Sequence, residues 1–132
     1  MRPLALVIAA LTLTATAARA DWDPQAFSTE GTLEFLTVED GVEHWSTVWL
    51  VVIDGQVYIR LGSRAAGRME GNATKPDVQV RIAGQVFPKV RTEAVPAMAD
   101  AVAKAMADKY WSDVLVRHFS HPLTMRLTPE TP

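Results

Sequence analysis

A β-rich α+β chain folded as a small mixed barrel is what three observations in this sequence predict. Two runs rich in β-branched and aromatic residues, 43–53 and 56–61, are separated only by Asp54-Gly55, the strongest short-range signal for a two-residue hairpin. Apolar and polar residues alternate again at 32–38, 77–82, 85–93 and 123–127. Between the last two stretches the period changes, and Met98, Val102, Ala105, Met106 and Tyr110 recur at helical spacing. Five or six strands, two late helices and a closing strand describe a single barrel-like domain.

Taken in order, the chain opens with Met1-Arg2-Pro3, an apolar run at 4–13 and small residues ending Ala18-Arg19-Ala20. That is the layout of a signal peptide, too short for a membrane span, and it predicts cleavage after Ala20 and a periplasmic or secreted domain over 21–132. Residues 21–31 read as an arm, with Trp22 and Phe27 as anchors. The strand 32–38 turns at Glu39-Asp40-Gly41 into the central hairpin.

Counting back from Asp54-Gly55 sets the register: Val52 opposite Val57, Val51 opposite Tyr58, Leu50 opposite Ile59, Trp49 opposite Arg60 and Val48 opposite Leu61. One face then collects Val48, Leu50, Val52, Val57, Ile59 and Leu61, all aliphatic and destined for a core. The other carries Trp45, Thr47, Trp49, Val51, Ile53, Tyr58 and Arg60, too apolar for water alone. It requires a helix, a second subunit or a ligand over it.

Residues 62–76 form a basic, glycine-containing connection with one helical turn over 64–70. Two strands follow, 77–82 and 85–93, joined at Ala83-Gly84, and Pro88 predicts a bulge or a sheet edge within the second. Pro96 opens a helix to Lys109. Ser112 caps a short second helix through Phe119, His121-Pro122 stops it, and 123–127 is the last strand.

The chain has 132 residues with 13 basic and 15 acidic, and Arg2 and Arg19 leave with the signal, so 11 basic residues remain and the mature charge is near −4. A chain so charged is not a nucleic-acid binder, nor one drawn to an anionic membrane. It holds no cysteine, which excludes thiol chemistry, Cys-based metal sites and disulfide staples. No Ser-His-Asp set, carboxylate pair or Walker-type loop can be placed, so no catalytic residue is assigned and no metal set is assembled.

The chemistry that can be placed is binding chemistry. Guanidinium groups, a hydroxyl and close backbone amides at Gly62 and Gly67 supply what a phosphate needs, although an arginine-bearing loop is also an ordinary solvated loop. Trp45, Trp49 and Tyr58 can stack on a planar ligand, or face a partner or the helix beginning at Pro96. His118 and His121 have spacing compatible with haem or metal, or with capping a helix end. His44 lies beside the aromatic face, where an imidazole can donate a proton, without being assigned that role.

The succession 48–60, then the basic connection, Asn72 and Pro76-Asp77-Val78-Gln79-Val80, together with Lys109-Tyr110 and 123–129, resembles the flavin-binding split β-barrel proteins. These include pyridoxamine-phosphate oxidase-like and deazaflavin-dependent nitroreductase-like families. The resemblance implies a six-stranded split β-barrel, a homodimer, and FMN or a deazaflavin at the subunit interface serving an oxidoreductase. Carried onto this chain, it implies Arg60, Ser63, Arg64 and Arg68 at the cofactor phosphate and Thr47 and Trp49 along the ring. A member without a cofactor would use the same cleft for a small ligand or partner, and some relatives handle haem.

Overall fold

The computed structural model describes residues 21–110 and 123–130. Its strands are β1 (Thr32–Glu39), β2 (Val42–Ile53), β3 (Gln56–Leu61), β4 (Asp77–Ile82), β5 (Gln85–Ala94) and β6 (Leu123–Pro129). The helices are α1 (Pro24–Phe27), α2 (Ser63–Glu70) and α3 (Ala99–Lys109), the last led in by a 3-10 turn at Pro96–Met98. The expected short helix from Ser112 to Phe119 lies outside the described residues.

Local turn chemistry builds three hairpins with one device. Asp40-Gly41, Asp54-Gly55 and Ala83-Gly84 all have positive φ at both positions, 53° and 77°, 50° and 74°, and 54° and 78°. This is the type I′ geometry, whose twist matches that of the flanking strands, and glycine is the residue that enters it without steric cost. The β2–β3 register runs Leu50↔Ile59, Val51↔Tyr58 and Val52↔Val57, as the count from Asp54-Gly55 predicts. The ladder ends there, short of the expected Trp49–Arg60 and Val48–Leu61 pairs. Beyond that point β3 stays with β6, through Arg60↔Thr124 and Leu61↔Leu123, and leaves β2.

The strands close in the order β1-β2-β3-β6-β5-β4, all neighbours antiparallel, with β4 returning to β1 through Phe35↔Val80. The aliphatic face of the hairpin lies inside, where Leu50, Val57, Ile59 and Leu61 are buried with Leu33, Phe35, Val80 and Leu127. On β5 the ladder steps from Val78↔Val90 to Val80↔Phe87, so Pro88 and Lys89 together face Gln79 alone. The bulge falls where Pro88 has no N–H to give the ladder, as the sequence predicts.

Helices seal both ends and one side. α1 replaces part of the expected arm, where Asp23 accepts from Ala26 N–H as N-cap and Pro24 stands in the first turn. Its Phe27 meets Trp22 and Phe87 edge-on at 5.1 and 5.7 Å, closing the end nearest Ala83-Gly84. α2 packs Met69, Ala65 and Ala66 against the core at the far end of β3. α3 lies outside the barrel, where Val102 and Met106 bury Val51 and Tyr58 of the second face. Complete burial of each such side chain contributes roughly 1.5–3 kcal/mol. No helix of the described residues is long and apolar enough to cross a membrane.

Candidate functional site

The junction of β3 and α2 carries most of the residues that the sequence nominates. Gly62 is the N-cap of α2, in extended conformation, and no side chain caps the helix. The first-turn N–H groups therefore point out with no side-chain acceptor, and the first turn holds no acidic residue. Ser63 and Arg64 stand exposed in that turn. Arg60, half-buried and engaged by a neighbouring group, lies two residues before Gly62 on the outer face of β3.

Arg68 sits one turn along from Arg64, on the same side of α2. Its Nη1 donates to Ser46 Oγ at 3.3 Å, and Ser46 is a buried hydroxyl of β2 that faces into the barrel. The phosphate set expected from sequence is thus divided, with Arg60, Ser63 and Arg64 outside and Arg68 anchored at the barrel mouth. Alternation along β2 places Ser46 inside, but the sequence gives no sign that an arginine of the helix after β3 will bond it.

The aromatic residues are in contact with other side chains of the chain itself. Tyr58 is buried beneath α3. Trp45 lies under the Arg81 guanidinium, 3.8 Å from the ring centroid, and that guanidinium is held by both carboxylate oxygens of Glu34 at 3.2 and 3.1 Å. Trp49 stacks on Tyr110 with centroids 4.9 Å apart and planes 14° from parallel. Thr47, between the two tryptophans, is exposed on the outer face of β2. His44 is exposed beside Trp45, and His118 and His121 lie outside the described residues.

The stack at Trp49 is fixed by a latch. The β1–β2 ladder ends at Thr32↔Trp49, and the carbonyls just beyond it take side-chain donors from the end of α3. The single Tyr110 hydroxyl proton is shared between Gly31 O and Leu50 O, each at 2.6 Å. Lys109 Nζ donates to Glu30 O at 2.6 Å and Leu50 O at 3.0 Å. Burial pushes the Tyr110 hydroxyl pKa up, offset in part by the Leu50 carbonyl. Burial pushes the Lys109 ammonium down, against the pull of Glu30. The dipeptide Lys109-Tyr110 is visible in the sequence; its carbonyl partners are not, because they lie on the far side of the chain.

A cavity of about 320 Å³ opens elsewhere, between α2 and the strands β5 and β6, lined by Met69, Glu70, Lys75, Thr92 and Met125 among others. None of the six nominated cofactor residues lines it.

No protein-family model matches the chain, and no curated protein matches its sequence. Solved structures do. HutZ, the heme storage protein from Vibrio cholerae, superposes with a TM-score of 0.60 at 16% identity, over 82% of this chain and 88% of that one. An F420-H2 dependent reductase gives 0.57 at 11% identity, over 74% of this chain and 93% of that one. A structure described as a domain-swapped dimer gives 0.57 at 11% identity, over 96% and 98% of the two chains. Six antiparallel strands closed in the order seen here, superposable on these neighbours through most of their length, identify the chain as a split β-barrel protein.

Proposed function

We propose that this chain is an exported, homodimeric split-barrel protein that binds FMN or a deazaflavin and supports an oxidoreductase reaction. One observation carries the reading: the uncapped N-terminus of α2 follows β3 directly, with Arg60, Ser63 and Arg64 gathered around Gly62. Unsatisfied amides, a hydroxyl and two guanidinium groups form a donor set suited to the cofactor's phosphate. Arg68, bonded to Ser46, holds α2 against the barrel so that this terminus keeps its place. Thr47 and Trp49 would flank the ring. When bound, the cofactor supplies the hydride chemistry and the protein supplies orientation and exclusion of water. The neighbouring reductase and domain-swapped dimer support the cofactor class and the dimer, and the pattern of residues 1–20 supports export.

A second reading keeps the cleft without the cofactor, as a module for a small ligand or a partner. It is favoured by Trp45 and Trp49, whose faces are already covered by Arg81 and Tyr110. Absorbance spectra separate the two. The mature protein is incubated with excess FMN and desalted; stoichiometric retention, weakened at least several-fold in Arg60→Ala and Arg64→Ala, is the expected result. A protein that stays colourless in this test and with a reduced or oxidised deazaflavin sinks the redox reading and leaves the module.

A further inference from the structure

The outer face at the end of β6 presents two acids to each other with no donor between them. Asp77 opens β4 and pairs with Arg91 of β5, which pairs in turn with Thr128 of β6. Glu130, just past β6, donates its N–H to Lys89 O at 3.1 Å, so it sits across β5 from Asp77. Val78 and Val90 point into the core, which turns Asp77 and Lys89 outward. Asp77 Oδ1 and Glu130 Oε2 are both buried, and neither has a hydrogen-bond donor. Lys89 Nζ, 3.9 Å from Glu130 Oε2, supplies counter-charge but no hydrogen bond, so the two oxygens remain unbonded.

A cation or a proton placed between them would bond the two oxygens. The surroundings decide against a cation, because Lys89 Nζ stands 3.9 Å from Glu130 Oε2 and Arg91 flanks the pair from the same strand. A metal ion there would face two fixed positive charges, whereas a proton adds no third one beyond neutralising a carboxylate. Lys75, the nearest cation on the connection before β4, is turned away to Glu70 O at 2.9 Å.

We propose that Asp77 and Glu130 share one proton, forming a carboxyl–carboxylate clasp that fastens the end of β6 across β5 to the start of β4 and opens as the pH rises. The contact with Asp77 first, and then burial, push the Glu130 carboxyl above the ordinary range, with Lys89 and Arg91 opposing in part. The sign follows from linkage. A carboxyl with a raised folded pKa holds its proton longer in the fold than in the unfolded chain, so stability is full below the ordinary glutamate value and is lost as pH climbs through the raised one.

The test is a pair of thermal-unfolding profiles on the full mature chain from about pH 4 to about pH 8, for wild type and Glu130→Gln. The glutamine amide can donate to Asp77 at every pH. The wild type is expected to lose melting temperature across this range and Glu130→Gln to lose measurably less, with Asp77→Asn behaving like it. Carbon-13 NMR of the side-chain carboxyls in the wild type is the second readout, with Glu130 titrating above the other glutamates. Parallel melting profiles, or a Glu130 resonance that titrates with the rest, overturn the clasp.

Discussion

Asn72 joins three pieces of chain with one carboxamide. It is buried at 2% exposure, and its Oδ1 accepts from Val38 N–H at 2.9 Å and from the Thr74 hydroxyl at 3.2 Å, while Nδ2 donates to Asp77 O at 3.0 Å. Asn72→Ala would strand the Val38 N–H, while Asp77 O keeps its bond from the Thr74 hydroxyl at 2.8 Å, and is expected to cost about 1–3 kcal/mol in urea unfolding. The position is quoted in the resemblance, yet the residue type alone says only "turn". Tyr110→Phe removes the hydroxyl from Gly31 O but leaves Lys109 on Leu50 O, so about 1 kcal/mol is the expected loss. Its pH signature is sharper. Burial raises the Tyr110 pKa, so the stability it contributes is present below the ordinary tyrosine value of about 10 and is lost as pH rises above it. Lys109, lowered by burial, works in the opposite sense below its own ordinary value. Tyr110→Phe should therefore flatten the alkaline fall in melting temperature, and an unchanged alkaline limb would refute the assignment.

At the level of elements, what was legible depended on how local the cause is. The hairpin at Asp54-Gly55, its inner face and the bulge at Pro88 are all fixed by residues within a few positions of one another, and all three stand where the sequence puts them. α1 was equally local, signalled by Asp23 before Pro24, but four residues of helix leave no apolar period to notice. The covering of the second face was legible as a need and open as to its occupant. The structure assigns it to α3, with Val102 and Met106 fully buried. Met106→Ala should lower stability by about 2–4 kcal/mol while far-ultraviolet circular dichroism keeps the barrel signal, since α3 lies outside the closed sheet. The division of Arg68 from Arg60, Ser63 and Arg64 was not legible, because a guanidinium's reach to Ser46 depends on how α2 seats on the barrel mouth.

For the whole molecule, closure is the property that single stretches do not announce. β1–β2, β2–β3 and β4–β5 are hairpins, whereas β3–β6, β5–β6 and β1–β4 join strands distant in sequence. β6 belongs to two of those three distant ladders. In kinetic terms, the hairpins can form early and cheaply, and the long loop closures come last. Until Leu123–Pro129 arrives, β3 and β5 each carry an unpaired edge, the kind of surface that recruits strands from other chains. A chain ending before Leu123 is therefore expected to aggregate, and adding a peptide of the β6 sequence in trans should restore solubility. A single strand that inserts between two waiting edges also decides which copy's barrel it completes, so the same seven residues set the choice between a self-contained protomer and one that trades its last strand with a neighbour.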